Sequence, residues 1–130
     1  MGEYVANQVI KLMLKKGIQV LHSNIVILGF TFKENCPDVR NTKVVDIVNA
    51  LKEYNLNITI YDPWANTAIA EHEYGLSVTN ELPTDKFDAA IMAVAHNEFK
   101  EFEISSLVKD KSVIYDVKGI LPRDIVDGRL

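Results

Sequence analysis

The stretch "NIVILGFTFKENCPDVRNTKVVDIVNAL", residues 24–51, decides the fold of this chain. It begins with a short apolar, β-branched run without polar alternation, which is typical of a strand buried on both faces of a parallel sheet. It ends in apolar residues at helical spacing, preceded by Asn41 or Thr42 as a helix cap. A strand, a long loop and a helix in this order predict the start of a βαβ unit.

The same alternation continues along the rest of the chain. Further strands are predicted within 56–63, 88–95 and 111–117, with a candidate short edge strand at 76–79. A helix is predicted at 65–75, closed by Gly75, and one or two short helical turns at 97–108. These elements predict an α/β fold, a doubly wound, mainly parallel Rossmann-like sheet flanked by helices. Ligands of such sheets bind beyond the carboxyl ends of the strands.

Composition limits the classes of protein to which the chain can belong. Its 130 residues suit one domain, and 48% hydrophobic with 25% charged residues is typical of a soluble globular protein. A net charge of −4 gives no electrostatic basis for a nucleic-acid partner. A single cysteine favours a reducing, cytoplasmic location, and no apolar run approaches the ~20 residues of a membrane helix.

The first segment, residues 1–17, predicts an N-terminal helix that ends at Gly17. Its apolar stripe is wider than the one-sided face of an ordinary surface helix: Val5, Ala6, Val9, Ile10, Leu12, Met13 and Leu14. Two interpretations stay open. The helix is packed deeply into its own domain, or part of the stripe covers a partner chain or another domain.

The loop after the first strand resembles a phosphate-binding position without its glycines. It has only Gly29 and carries Lys33 and Arg40 instead, a point charge and a planar fork that can both bind phosphate oxygens. Asp38 is placed to hold Arg40 or to cap the loop. Lys118, at the end of the last strand, is a further candidate for anion contact.

Three other residues at this edge allow both a structural and a functional interpretation. Asp62 ends the second strand, where an acidic residue binds ribose in dinucleotide folds, but a strand stop plugged by Trp64 is at least as well supported. His96 follows the central strand and is better explained as a hydrogen-bonded structural histidine. Cys36 has no histidine near it in sequence and is better explained as a small packed residue than as a nucleophile. No spacing of histidines or cysteines indicates a metal site.

Three motifs together resemble the C-terminal domain of the UDP-glucose/GDP-mannose dehydrogenase family. They are G-x-x-F-K-x-x-x-x-D-x-R at 29–40, "YDPW" at 61–64 and "YDVKGIL" at 115–121, and the resemblance covers essentially the whole chain. The segment "ENCP" at 34–37 is most similar to the branch that oxidises UDP-N-acetylhexosamines for surface polysaccharides.

The resemblance implies a role for three residues. Phe32 and Lys33 would bind the nucleotide sugar, and Arg40 would reach the NAD cofactor from across a cleft between two domains. Lys118 is added to the substrate-binding set by its position. In such a cleft the loop would need side chains long enough to reach across it. This explains why the loop carries long side chains in place of glycines, which would only admit a phosphate locally. Cys36 lies between the F-K and D-x-R positions and does not match the family's catalytic cysteine.

The resemblance also implies what these residues lack. The family's NAD-binding domain and catalytic segment precede the matching part, so we expect no catalytic residue here and no activity from this chain alone. Residues 1–17 would be the end of an interdomain helix that forms a homodimer, and 18–130 the nucleotide-sugar-binding domain. The alternative is a freestanding nucleotide-binding or regulatory module without chemistry.

Overall fold

A computed structural model describes residues 2–130 of the chain. The helices are α1 (Gly2–Lys15), α2 (Val44–Lys52), α3 (Thr67–Tyr74) and α4 (Asn97–Lys100), with a 3-10 turn at Ile104–Leu107. The strands are β1 (Asn24–Leu28), β2 (Asn57–Tyr61), β3 (Val78–Thr79), β4 (Phe87–Met92), β5 (Val108–Asp116) and β6 (Gly128–Arg129). The predicted sequence of elements is thus confirmed up to the C-terminal tail.

All six strands form one parallel sheet in the order β3-β2-β1-β4-β5-β6. The order reverses direction between β1 and β4, so a crevice is expected beyond the carboxyl ends of these two strands. This confirms the doubly wound α/β fold, and the short edge strand at 76–79 is β3. Strand β6 was not predicted from the sequence, because two residues that include a glycine carry no strand pattern.

The sheet is covered on both faces, as its apolar strands predicted. Alternate residues of β1 enter two separate cores. Ile25 and Ile27 pack with α1, α2 and α3, whereas Val26 and Leu28 pack with α4 and the 3-10 turn. Because every residue from Ile25 to Leu28 is fully buried, β1 is the central strand of both layers.

Helix α1 packs most of its wide apolar stripe against its own domain. Val5, Ala6, Val9, Ile10 and Met13 are buried, and the chain turns away at Gly17, whose φ of 74° is left-handed. Leu12 is half-buried. Leu14 and Tyr4 remain 63% and 54% exposed. Deep packing within the domain therefore explains most of the stripe and leaves two large apolar side chains on the surface of α1.

Gly29 allows the loops after β1 and β4 to approach each other closely. Its φ is +100°, and an added Cβ would lie 2.5 Å from Val94 Cβ and 2.8 Å from Val94 N. Any side chain at position 29 would therefore be strained by its backbone and would also collide with the loop after β4. The single glycine of the loop serves contact between two strand ends.

We expect Gly29→Ala to destabilise the fold more than Gly75→Ala in urea unfolding. Gly75 is also left-handed, but no atom of residues 2–130 lies within 4 Å of a Cβ added there, so Gly75→Ala measures the backbone cost alone, about 1–2 kcal/mol. The collision with Val94 should add at least about 1–3 kcal/mol. Equal losses in the two variants would contradict the close contact.

Candidate functional site

A cleft of about 130 Å³ lies at the carboxyl ends of β1, β4 and β5. It brings together Phe32, Lys33 and Lys118, three of the four residues singled out in the sequence, and adds Lys43. The inner wall is largely apolar, formed by Val44, Ile47, Ala93, Val94 and Val117. An apolar pocket with a few polar groups at its mouth is the usual form of a small-molecule site.

The charges around this cleft are all positive. Lys33, Lys43 and Lys118 are exposed, and none of them forms an ion pair with any residue of the described range 2–130. Among the residues that the structure describes, no carboxylate lines the cleft. In a chain whose net charge is −4, three uncompensated ammonium groups around one pocket favour an anionic ligand.

Lys43 was missed by the sequence analysis. Helix α2 begins one or two residues later than the caps predicted for it. Lys43 occupies the N-cap position, and the hydroxyl of Thr42 accepts a hydrogen bond from Val44 N at 3.2 Å. A lysine at the positive end of a helix is electrostatically unfavourable by itself. A lysine directly before a helical pattern is therefore the feature of the sequence that could have indicated Lys43 as a candidate. Its position is consistent with an anion that binds beside the helix.

Arg40 lies outside this cleft. It lines a separate shallow groove with Pro37, Asp38, Asn66 and Ile69. Asp38 Oδ1 accepts hydrogen bonds from Arg40 N at 2.9 Å and from Arg40 Nε at 3.1 Å, so it both caps the loop and holds the guanidinium. These bonds lower the pKa of Asp38 and raise the pKa of Arg40. The structure thus separates Arg40 from the three lysines.

A second, larger groove has the opposite charge. It is about 450 Å³, lies between α1 and α2, and is lined by Gly2, Glu3, Asp46, Asn49, Ala50 and Glu53. Its three carboxylates would repel a phosphate ligand. Of the two, the lysine-lined cleft is therefore the one whose positive charge favours an anionic ligand.

Asp62 is a structural carboxylate that joins three strand ends. It is fully buried, and Oδ2 accepts hydrogen bonds from Phe30 N at 2.6 Å, Thr31 N at 3.0 Å and His96 Nε2 at 2.9 Å. Oδ1 accepts from Trp64 N at 2.7 Å and Ala65 N at 3.1 Å. Such a carboxylate has no free face for a ribose, so the strand-stop interpretation of Asp62 is confirmed.

The same bonds decide whether this domain can hold a dinucleotide in the usual way. In a glycine-rich loop, backbone N–H groups after the first strand bind the pyrophosphate. Here the N–H groups of Phe30 and Thr31 are occupied by the carboxylate of Asp62. The residues after β1 therefore do not fit the pyrophosphate of NAD.

The pKa of Asp62 is lowered from its ordinary value of 3.8. Burial alone would raise it, but hydrogen bonds from His96, Phe30 and Trp64 favour the ionised form and outweigh burial. A lowered folded-state pKa means that ionised Asp62 stabilises the fold above pH 3.8, and that this stabilisation is lost as the pH falls further.

His96 is a buried structural residue, as the sequence analysis favoured. Its ring is fully buried, bonds Asp62 through Nε2 and accepts a hydrogen bond at Nδ1 from Asn35 N at 2.9 Å. Cys36 is half-buried. Because both nitrogens of His96 are engaged, the ring is not free to act as a base for Cys36.

A second buried carboxylate, Asp116, positions Lys118. Asp116 Oδ1 accepts hydrogen bonds from Lys118 N at 3.0 Å and Gly119 N at 2.8 Å, and Oδ2 accepts from Leu121 N at 2.8 Å. This cap turns the backbone sharply after β5. It leaves the side chain of Lys118 at the mouth of the cleft.

Two further properties concern metals and membranes. Within residues 2–130, no three His, Cys, Asp or Glu side chains are grouped so that they could hold a metal ion. None of the described helices is long and apolar enough to cross a membrane.

Residues 26–123 match the UDP binding domain of the UDP-glucose/GDP-mannose dehydrogenase family. The chain belongs to this family. The match runs from within β1 to the turn after β5 and includes Phe32, Lys33, Arg40, Lys43 and Lys118.

Similar proteins of the family are much longer than this chain. A UDP-N-acetyl-D-glucosamine 6-dehydrogenase of Salmonella typhi is 47% identical over 133 residues, which are 100% of this chain and 31% of that protein. A Pseudomonas aeruginosa protein of the same name is also 47% identical, with 32% of it covered. The chain thus spans about a third of these relatives.

Solved structures support the fold. A dehydrogenase of NDP-N-acetyl-D-galactosaminuronic acid from Methanosarcina mazei superposes with a TM-score of 0.84 at 16% identity, over 98% of this chain and 28% of that one. A UDP-D-ManNAc dehydrogenase of Pyrococcus horikoshii gives 0.76 at 20% identity, over 98% and 30%. At this identity the likeness concerns the fold.

We expect Asp62→Asn to destabilise the chain by at least about 3 kcal/mol at neutral pH, because five donors lose a charged acceptor and one such bond is worth about 1.5–3 kcal/mol. Urea unfolding at several pH values measures the difference from the wild type.

The difference should be complete above pH 3.8 and should shrink as the pH falls below that value, since the wild type then loses its ionised carboxylate. Asp124→Asn, which removes an exposed carboxylate, is the control for the loss of one negative charge. A difference that did not vary with pH would contradict a lowered pKa for Asp62.

Proposed function

We propose that this chain is the nucleotide-sugar-binding C-terminal domain of an NAD-dependent UDP-sugar 6-dehydrogenase, and that the lysine-lined cleft holds the substrate. One observation carries the proposal: three lysines, none of them in an ion pair within the described range 2–130, surround an apolar pocket in a chain that belongs to this family. A UDP-sugar has both properties that the cleft would recognise, a doubly charged diphosphate and a flat base.

Each cleft residue has a part in this proposal. Lys33 and Lys118 contact the diphosphate as mobile point charges, and Lys43 adds a third cation from the start of α2. Phe32, whose side chain is 53% exposed at the mouth of the cleft, offers an aromatic face to the base or the sugar. The apolar wall excludes water from one side of the ligand.

UDP-N-acetylglucosamine is the proposed substrate. The two relatives at 47% identity are both named UDP-N-acetyl-D-glucosamine 6-dehydrogenase. The reaction would oxidise the C6 alcohol of the sugar to a carboxylate, which supplies a precursor of surface polysaccharides. The proposed location is the cytoplasm.

NAD would be bound by a domain that precedes this segment in the longer protein. The chain spans about a third of its relatives, and its own loop after β1 does not fit the pyrophosphate. Arg40, held by Asp38 on the surface outside the cleft, is the residue that would reach the cofactor from this side. No residue of this chain is assigned a chemical step.

Residues 1–17 are proposed to be the end of an interdomain helix that also forms a homodimer, with 18–130 as the nucleotide-sugar-binding domain. Tyr4 and Leu14 are the large apolar side chains that α1 leaves exposed for such contacts. A Tyr4→Ser, Leu14→Ser double variant would shift a dimer toward monomer in sedimentation analysis. An unchanged sedimentation profile would place the dimer contact elsewhere.

Calorimetric titration with UDP-N-acetylglucosamine tests the cleft. We expect Lys33→Ala, Lys43→Ala and Lys118→Ala each to weaken binding about tenfold to a hundredfold, because each removes a charged contact worth about 1.5–3 kcal/mol. Lys52→Ala, an exposed lysine at the other end of α2, is the matched control and should bind like the wild type. Equal effects at Lys52 and Lys43 would indicate a general charge effect and no site.

Arg40→Ala separates substrate from cofactor binding. In the isolated chain it should leave the affinity for UDP-N-acetylglucosamine unchanged, because Arg40 lies outside the cleft. A loss comparable to that of Lys33→Ala would show that Arg40 belongs to the substrate site.

The isolated chain should not reduce NAD with any UDP-hexose or UDP-N-acetylhexosamine. The reduction of NAD can be measured by absorbance. An increase of reduced NAD would contradict the proposal that the catalytic residues lie outside this chain. Tight binding of a nucleotide without a sugar would instead favour a freestanding nucleotide-binding module.

A further inference from the structure

We propose that His96, as the neutral tautomer protonated at Nε2, is a positioning residue that holds the Phe32–Lys33 segment in its binding conformation. This inference rests on the proposed function, because it concerns the loop assigned to the substrate. It adds a residue that no ligand would touch, since the ring of His96 is fully buried.

The Nε2 side of the ring fixes the residue before Phe32. Nε2 lies 2.9 Å from Asp62 Oδ2 and 3.1 Å from Thr31 Oγ1. The hydroxyl of Thr31 in turn donates to the carbonyl oxygen of Lys33 at 2.9 Å. Because that hydroxyl uses its proton on Lys33, its oxygen can only accept from the ring, so Nε2 carries the proton.

The Nδ1 side fixes the residue that lies two positions after Lys33. Asn35 N is 2.9 Å from Nδ1 and donates to it. The side-chain oxygen of Asn35 accepts from Asn97 N at 2.9 Å, which ties the same residue to the start of α4. Asn35 has a left-handed φ of 56°, a conformation that needs such support in a residue with a side chain.

These contacts define the protonation state of the ring. A backbone N–H can only donate, so Nδ1 must be a bare acceptor, and the proton must be on Nε2. If both nitrogens carried protons, two donors would face each other at Asn35. The observed loop geometry therefore requires neutral His96.

The surrounding rings prevent His96 from turning. Trp64 stacks on it at 6.1 Å between ring centroids and 25° between planes, and Phe99 lies at 5.5 Å. Trp64 Nε1 donates to Glu98 Oε1 at 2.8 Å, which holds the indole in place. With the ring packed against Trp64 and Phe99, its two nitrogens contact Thr31 and Asn35 from one fixed position.

Phe32 and Lys33 are exposed and lie between these two fixed points. Their side chains form no hydrogen bond or ion pair within residues 2–130, so the conformation of the segment depends on backbone anchors. Phe32 N donates to Asp38 O at 2.8 Å. The flanking residues are held by bonds of Thr31 to Asp62 and His96, and of Asn35 to Asn97 and His96. Loss of the Nδ1 acceptor should therefore loosen the segment without removing any ligand contact directly.

Two amide variants separate the two nitrogens. An asparagine carries its carbonyl oxygen as far from Cβ as Nδ1 lies in histidine, and a glutamine carries its amide nitrogen as far as Nε2. His96→Gln therefore keeps the donor to Asp62 and loses the acceptor for Asn35. His96→Asn keeps the acceptor and loses the donor to Asp62, and His22→Gln, an exposed histidine, is the control.

Three measurements decide between positioning and a purely structural role. Amide hydrogen exchange of Asn35 reports the loop, urea unfolding reports stability, and calorimetry with UDP-N-acetylglucosamine reports binding. We expect His96→Gln to speed exchange at Asn35 and to weaken binding, each by about threefold to tenfold, the factor for one neutral hydrogen bond. His96→Asn should unfold more easily than His96→Gln and yet bind more tightly. If His96 were purely structural, affinity would follow stability, and His96→Gln would bind UDP-N-acetylglucosamine more tightly than His96→Asn. That result would overturn the proposal.

The remaining outcomes are also decisive. If the wild type binds no UDP-N-acetylglucosamine, the proposed function fails for the isolated chain. The positioning role of His96 is then tested by amide hydrogen exchange of Asn35 alone. Protection of this amide that is lost in His96→Gln and kept in His96→Asn supports the proposal. Equal protection in the two variants overturns it. If both variants unfold, nitrogen NMR of wild-type His96 at neutral pH gives the tautomer, and a proton on Nδ1 would overturn the proposal.

Discussion

The carboxylate of Asp62 connects the three strand ends from which this edge of the domain is built. It accepts hydrogen bonds from the backbone after β1, from the turn after β2 and from the histidine after β4. In many α/β proteins the N–H groups after the first strand are left for a phosphate. Here an internal anion takes them, so these N–H groups are not available to a phosphate, and the proposed ligand would have to be bound by side chains.

This constraint explains the chemistry of the long loop. Because its first N–H groups are occupied, the loop continues outward and presents Phe32 and Lys33 to the neighbouring cleft. Asp116 repeats the arrangement at the end of β5 and turns Lys118 toward the same cleft. Both buried aspartates are bonded to backbone N–H groups, and the three lysines form no ion pair within residues 2–130; a phosphate of the proposed ligand would compensate their charge. The single glycine, Gly29, serves the contact between strand ends rather than a phosphate.

Much of the fold was predictable from the sequence, because unbroken β-branched runs such as 24–28 occur mainly in strands buried on both faces. Gly75 and Gly17 marked helix ends correctly through their left-handed backbones. β6 was not predictable, since two residues that complete a sheet edge carry no pattern of their own. Lys33 and Lys118 could be singled out as candidates because they follow strands, whereas Lys43 precedes a helix whose start was predicted too early. The contacts of Asp62 with His96 could not be derived, because they join residues 34 positions apart whose distance depends on the strand order.

The most direct test of the account is an NMR titration of the isotope-labelled chain with UDP-N-acetylglucosamine. We expect the largest shifts in the amide signals of Phe32, Lys33, Lys43, Val94 and Lys118, the residues around the lysine-lined cleft. Signals of Asn66 and Ile69, beside Arg40, should hardly move. Shifts concentrated at the Arg40 groove, or no saturable shifts at all, would contradict the assignment of the cleft to the nucleotide sugar.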